Sequence, residues 1–289
     1  MPERWSLLVH GGAKAIAPER LSANRDGCLA AVAAGQAVLE TGGAAVDAVV
    51  AAIKVLEDDP TFNAGRGAVL NRDGDVELDA ALMDGATLDV GAVAAVRTLR
   101  NPIEAARAML RDQPVLLVGA GASRYAEELG LTLCEATYYQ GPPIPAREAC
   151  DTVGCVAFDR AGNLASGTST GGLQGVRPGR VGDSPIPGCG LAAENSVGAV
   201  SFSGDGESIL RLTLAARLMH DLPSRGPQEA ARNAVGQMLR VGGEAGCIVL
   251  GRDGRPGVDH NSDHFAFGFA SLDQTAAAYL HKDEFNHGR

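Results

Sequence analysis

Asp151-Thr152-Val153-Gly154-Cys155-Val156-Ala157-Phe158 is the stretch on which the reading of this chain turns. An apolar, strand-like run begins directly at a threonine, with enough chain on either side to make two sizeable pieces if the preceding bond is cut. The ordinary reason for a threonine at the head of a strand is β propensity. The second reason is chemical. A threonine hydroxyl is a poor nucleophile because nothing in its own side chain removes the proton. As the first residue of a chain it gains a free α-amine that acts as the base. Such an amine has a reference pKa of about 7.7–8.0, close to working pH. An internal Thr152 has no free amine, so the chemical reading requires a cut between Asp151 and Thr152.

Downstream, residues 152–158 and 164–170 read as a hairpin around Asp159-Arg160-Ala161-Gly162-Asn163. Upstream, residues 131–151 lose regularity, and TYYQGPPIPAREACD has three prolines and no apolar period, which marks a flexible linker. Further out, residues 5–9 read as a short buried strand ended by His10-Gly11-Gly12. Residues 23–41 and 44–58 read as Ala-rich helices, with Asn24 as cap of the first and Pro60 ending the second. Residues 66–83 read as a hairpin turning at Asp73-Gly74. Strands are expected at 90–97, 115–119, 198–203, 246–251 and 265–270, and helices at 102–112, 120–130 and 206–221. Hairpins dominate and no regular βαβ alternation appears, so antiparallel sheets covered by helices are expected.

Composition narrows the function. The 289 residues suffice for a real core. The 38 glycines cluster in short runs without a period, which suggests tight turns and close backbone approaches. The net charge of −10 with no basic run argues against nucleic acid, and an anionic substrate needs local arginines to attract it. Cysteines 28, 134, 150, 155, 189 and 247 form no Cys-x-x-Cys pair and read as buried thiols of a reducing compartment. His260 and His264 are four apart, but no helix pattern or intervening Glu makes them a zinc motif. MPERWSLLVHGG is not a signal peptide, and no stretch approaches the roughly 18 apolar residues of a membrane span, so a cytoplasmic protein is expected.

Two hydrolase readings compete. Gly167-Thr168-Ser169-Thr170-Gly171 matches Gly-x-Ser-x-Gly, with His10-Gly11-Gly12 as an oxyanion loop and Asp183 or Asp205 and His260 downstream. A nucleophile elbow needs a helix after the serine, and GLQGVRPGRVGDSPIPG cannot be one. The second reading uses Thr152. DTVGCVAFDRAGNLASGTSTGG, GRVGDSPIPGCG and SFSGDGESILR, together with HGGA and LEDDPTFNAGRGAVLNRDGDVELDAALMDG upstream, resemble the plant-type (type 2) L-asparaginase / isoaspartyl peptidase family of N-terminal-nucleophile (Ntn) hydrolases, in order from His10 to about His220.

That resemblance implies an α+β fold, a four-layer αββα sandwich of the Ntn-hydrolase type. One domain would be built from both autocleavage products, an α subunit of residues 1–151 and a β subunit of residues 152–289. It implies cleavage at Asp151–Thr152, then attack of Thr152 on the side-chain amide of L-asparagine or β-aspartyl dipeptides through a β-aspartyl ester. Thr170 matches a threonine supporting the nucleophile, Asn63 a residue facing it, and Ser203 and Gly204 the oxyanion hole. Arg180 and Asp183 match the residues that hold the substrate α-carboxylate and α-ammonium, with Gly206 lining the same pocket. The main-chain carbonyls of Leu56, Glu57, Asp59, Phe62, Ala64 and Arg66 match a loop around a structural sodium ion, and no cofactor is implied for catalysis. The implied assembly is a dimer of αβ heterodimers acting on small molecules, with no nucleic acid or membrane partner. The related glycosylasparaginases carry aspartate before the threonine but usually histidine before that, where Cys150 stands here. Other departures are Asp151 for the frequent glycine, Ser203 for the usual threonine, Lys14 after HGGA, and Asp205 inside SGDG.

Overall fold

The computed structural model describes residues 4–139 and 152–286, so Asp151 and Cys150 lie outside the described residues. In chain order the strands are β1 (Ser6–Lys14), β2 (Leu78–Asp84), β3 (Val90–Val96), β4 (Leu116–Val118), β5 (Thr152–Phe158), β6 (Leu164–Thr170), β7 (Leu191–Glu194), β8 (Gly198–Gly204), β9 (Ala245–Gly251), β10 (Pro256–His260), β11 (His264–Ser271) and β12 (Gln274–Tyr279). The helices are α1 (Leu21–Glu40), α2 (Ala45–Asp58), α3 (Pro102–Met109), α4 (Gly119–Glu128), α5 (Gly206–Leu212), α6 (Leu214–Arg225), α7 (Pro227–Gly236) and α8 (Lys282–Asn286).

The strands form an eight-stranded sheet in the order β12-β11-β1-β5-β6-β2-β3-β4 and a four-stranded sheet in the order β10-β9-β8-β7. All pairings are antiparallel except β3 with β4. The chain is α+β. β5 reads as continuously apolar because it is central and both of its faces are covered. Val153, Cys155 and Ala157 face a core shared with α1 and α2 through Val32, Leu39, Val49 and Ile53. Val156 faces the other way and joins Leu8, Phe265 and Phe267 against Ala199, Ile248 and Leu250 of the small sheet. The far face of the small sheet packs Val200, Phe202 and Val249 against Leu214, Leu218, Leu222 and Ala230 of α6 and α7.

Several elements differ from the sequence expectation. β1 runs through His10-Gly11-Gly12 to Lys14, because a bulge between His10 and Gly12 absorbs the glycines while pairing with β11 continues. Residues 66–77 are not a strand. A 3-10 turn at Gly65–Gly67 leads into a tight loop closed by the Asn71 N–H on the Asp75 carbonyl at 2.9 Å, and β2 pairs with β3 and β6 instead. Asn24 is not a cap: it is buried within α1, and its Nδ2 donates back to the Arg20 carbonyl at 2.9 Å. The helix expected at 206–221 breaks at Thr213, whose φ of 48° is left-handed, and restarts as α6. The expected linker is anchored at its start. Leu133 bridges Leu99, and the buried Tyr139 donates its hydroxyl to the Leu99 carbonyl at 2.7 Å. Four of the five described cysteines are buried, while Cys134 is half-buried. Among the described residues no helix is long and apolar enough to cross a membrane.

Phe267 is fully buried between the sheets, stacked on Phe265 and edge-on to Phe285. Phe267→Ala is expected to cost about 3–5 kcal/mol in urea unfolding.

Candidate active site

Thr152 is the first residue of β5 and sits directly across from Thr170, the last residue of β6. Its side chain faces the small sheet, where β8 ends. There the fully buried Ser203 hydroxyl accepts two backbone N–H groups, from Ala13 at 3.1 Å and from Thr152 at 3.3 Å. The serine therefore has its oxygen fixed by two donors even without the methyl that would fix a threonine rotamer. Gly204 follows with φ 143°, and a Cβ there would lie 2.2 Å from the Glu244 carbonyl, so only glycine lets the chain turn out of β8 at this point.

The Thr152 hydroxyl has a neighbour that the sequence reading missed. Ser184 Oγ lies 3.2 Å from Thr152 Oγ1. Its carbonyl accepts the Thr168 hydroxyl at 2.6 Å, which ties it to β6. The only sequence signal was its position next to Asp183 in GRVGDSP.

Beneath Thr152, Gly154 makes room for a buried polar pair. His10 Nε2 and Ser201 Oγ are 2.8 Å apart, and a Cβ on residue 154 would sit 2.4 Å and 2.0 Å from those two atoms. Burial pushes the His10 imidazole down to about 3, and the adjoining Thr152 backbone works in the opposite sense. His10 is thus a neutral structural ring.

Asn63 lies on the turn that follows Thr170. Its carbonyl accepts the Gly171 N–H at 2.9 Å, its Nδ2 donates to the Gly172 carbonyl at 2.7 Å, and its Oδ1 accepts the Val69 N–H at 3.0 Å. Thr170 Oγ1 accepts the Gly172 N–H at 3.1 Å.

Arg180, Asp183 and Gly206 come together. A Cβ on Gly206 would fall 2.8 Å from Arg180 Nη2 and 2.9 Å from Asp183 Oδ1. Arg180 is held by Glu207, a second residue the sequence reading missed, through Nε at 2.9 Å and Nη2 at 2.8 Å. Asp183 is buried, and its Oδ2 has no hydrogen-bond partner among the described residues. Burial pushes its carboxyl up to about 7, against the pull of Arg180. A buried carboxylate oxygen with an open valence suits an ammonium group. Asp205 stands at the N-cap position of α5 without a side-chain cap bond, and its carboxylate lies where a Cβ on Gly243 would fall 2.5 Å from Oδ2.

Buried acids support the site from behind. Asp79 pairs in register with Thr170, and its Oδ1 accepts the N–H of Ala95, whose φ is 51°. Burial pushes its carboxyl up to about 7. Glu57 Oε1 accepts the Ser169 hydroxyl at 2.7 Å and the Ile103 N–H at 3.1 Å, and burial pushes it up to about 8. Ser169 therefore points away from Thr152, within a straight strand rather than an elbow. His260 is committed to the Ser262 carbonyl and the Lys282 N–H, which removes the esterase reading. His264 Nδ1 accepts the Ile16 N–H, and no cluster of three potential metal ligands exists among the described residues.

Leu56 and Glu57 lie in the last turn of α2, followed by Asp59, Phe62 and Ala64 in the loop and Arg66 in the 3-10 turn. Pro60 has no N–H for the Leu56 carbonyl, and the Thr61 N–H goes to Asp59 Oδ1 at 2.8 Å. The helix therefore ends with carbonyls that its own ladder does not serve, at the negative end of its dipole.

A family model described as "Asparaginase" matches residues 3–141 and 137–280. The Danio rerio isoaspartyl peptidase/L-asparaginase is 41% identical, over 94% of this chain and 91% of its own. The Homo sapiens isoaspartyl peptidase/L-asparaginase is also 41% identical, over 86% of this chain and 87% of its own. The isoaspartyl peptidase of Escherichia coli K12 is 37% identical, over 96% and 97%.

Two predictions follow from these contacts. Gly154→Ala drives a methyl into Ser201 and His10 and is expected to destabilise by about 1–3 kcal/mol in chemical unfolding. Asp183 keeps its proton in the fold up to about pH 7, whereas the unfolded chain loses it near 3.8. Its burial therefore takes away stability as pH rises through that window, and the loss is complete above pH 7. Asp183→Asn is expected to melt higher than wild type at pH 8, with the gap narrowing towards pH 4.

Proposed function

The chain belongs to the asparaginase family, and from that premise we propose that it hydrolyses the side-chain amide of L-asparagine and the β-aspartyl bond of isoaspartyl dipeptides, with Thr152 as nucleophile. The observation that carries the assignment to Thr152 is its convergence with Ser184 and Ser203: a buried threonine at a strand head has its hydroxyl on one and its nitrogen on the other.

Cleavage of the Asp151–Thr152 bond exposes the Thr152 amine. That amine takes the hydroxyl proton as Oγ1 attacks the substrate carbonyl, then returns it to the leaving ammonia or amino acid. The β-aspartyl ester is released by water. Ser203 Oγ and the Gly204 N–H meet the developing oxyanion. Thr170 and Asn63 hold the nucleophile and the turn beside it. Arg180 takes the α-carboxylate and Asp183 Oδ2 the α-ammonium, which fixes the aspartyl end and leaves the far side of the scissile amide open. Gly206 lets both groups approach. This explains how ammonia and an amino acid can leave from one site.

On the same reading residues 1–151 and 152–289 are the two subunits of one four-layer αββα sandwich, supported by the three successive apolar cores. The carbonyls of Leu56, Glu57, Asp59, Phe62, Ala64 and Arg66, those of Asp59, Phe62 and Ala64 each also accepting a backbone N–H, suit a structural sodium ion. We assign a dimer of αβ heterodimers, and a cytoplasmic location on the strength of the buried cysteines, which show no Cys-x-x-Cys spacing.

Purified protein is expected to resolve into two bands near half size on a denaturing gel, the smaller beginning Thr-Val-Gly-Cys. It should release ammonia from asparagine and leucine from β-Asp-Leu. A single full-length band after long incubation, or cleavage by Thr152→Ala, overturns the reading. Ser203→Ala is expected to lower kcat by about 10²–10³ with KM little changed, measured on the cleaved enzyme.

A further inference from the structure

Asp79 stands in one row with Thr152. It lies directly across from Thr170 of β6, and Thr170 lies directly across from Thr152 of β5. Residues opposite one another in a ladder present their side chains on one face. Asp79 therefore shares the face of Thr152, about 10 Å away at two strand spacings. Its residue is only 2% exposed. Beside it β3 carries one extra residue, since Leu78 pairs with Val96 but Ala80 with Val93. Ala95 lies in this bulge with a φ of 51°, a region that alanine seldom adopts, and its N–H goes to Asp79 Oδ1 at 2.8 Å.

The same carboxyl meets the loop that carries Arg180 and Asp183. Burial pushes it up to about 7, against the pull of the Ala95 N–H, the Arg180 guanidinium and the Gly182 N–H. Gly182 lies between Arg180 and Asp183 in sequence, and the guanidinium rests on it. A Cβ at Gly182 would fall 2.7 Å from Arg180 Nη1 and 3.1 Å from Cζ. The Gly182 backbone is a floor under the guanidinium, and Asp79 ties that floor to the row of Thr152. Glu207 orients the guanidinium through Nε and Nη2, but it belongs to α5 and its side chain is 54% exposed. The span from Arg180 to Thr152 is set within the sheet, at Asp79.

We propose that Asp79 is a positioning residue for substrate selection: acting through Gly182 and Arg180, it sets the reach from Thr152 to the α-carboxylate clamp. The inference rests on the roles proposed above for Thr152 and Arg180. Two effects of losing the Asp79 carboxyl oppose one another. Removing a negative charge near Arg180 would by itself tighten carboxylate binding. Removing the anchor lets the guanidinium drift, and a misplacement of about 1 Å can cost on the order of 10²-fold. Glu207 already meets the guanidinium charge at 2.8 Å, so the anchor outweighs the charge. Asp79→Asn separates the two. It keeps the shape and one acceptor oxygen, but whichever way the amide turns, its NH₂ confronts the N–H of Ala95 or of Gly182.

The test is competitive inhibition of the cleaved enzyme by L-aspartate and by β-alanine, which keeps the ammonium and the β-carboxylate of aspartate but lacks its α-carboxylate. The ratio of the two inhibition constants reads what the α-carboxylate contributes. In Asp79→Asn that ratio is expected to shrink about 10-fold, with L-aspartate binding weaker, β-alanine unchanged, and KM for asparagine rising more than kcat falls. Asp79→Ser carries the same expectation and serves if Asp79→Asn melts below the assay temperature. In an Arg180→Lys background the substitution should no longer move the ratio, because no guanidinium remains to be placed. Unchanged or tighter L-aspartate binding in a folded variant overturns the proposal. So does an equal weakening of both inhibitors, which a merely structural role would give, or an undiminished effect in the Arg180→Lys background. Failure of the wild type to hydrolyse asparagine is a separate outcome, because it removes the proposed function and this inference with it.

Discussion

The constraint behind this site is that Thr152 has to present a nitrogen and a hydroxyl from a largely buried position between two sheets. Buried polar groups left unpaired cost on the order of 1–3 kcal/mol each. The fold meets that cost with hydroxyls from other strands and loops: Ser203 for the nitrogen and Ser184 for the oxygen. These partners fix how β5 and β8 approach one another, and so they fix where Ser203 and Gly204 stand. The His10–Ser201 pair does the same one step deeper, which is why residue 154 has no side chain. The chemistry and the sheet packing are satisfied by one set of contacts.

The substrate end obeys a different rule. Arg180 is charged and only slightly exposed, and it lies near three carboxylates, of which Glu207 is the outermost and takes two of its N–H groups. Asp79 and Asp183 are buried, and both are pushed towards the protonated form. On the function proposed above, an amino acid would bring an ammonium for Asp183 and a carboxylate for the remaining edge of Arg180. In a low-dielectric site such pairing is strong and directional.

Much of this was legible in the chain. The hairpin around residues 159–163, the two Ala-rich helices and the antiparallel class follow from period and turn residues. The motifs containing Thr152, Thr170, Arg180, Asp183 and Ser203 sit in recognisable order. What escaped was set by tertiary contact. Ser184 and Glu207 look like ordinary neighbours of motif residues until the loop folds them onto Thr152 and Arg180. Thr213 adopts a left-handed turn that apolar spacing cannot announce. The bulge in β1 lets Gly11 and Gly12 continue a strand, where glycine pairs normally read as a stop. Asp79 and Glu57 resemble surface acids in the sequence and are buried only because Ala95, Ser169 and Ile103 give their oxygens donors.

The strand order has a consequence of another kind. In the large sheet, β1 lies between β11 and β5, and β6 lies beside β2, so segments from either side of residue 152 alternate across it. A chain cut before Thr152 stays laced together at three strand boundaries and has no easy way to separate. Once denatured, however, its two pieces must find each other again, and their reassembly becomes second order in protein concentration. The uncut chain has no such dependence. On the self-processing reading the order of events follows from the topology: the molecule folds as one polypeptide, and the cut turns a reversible folding problem into a history that dilution can erase.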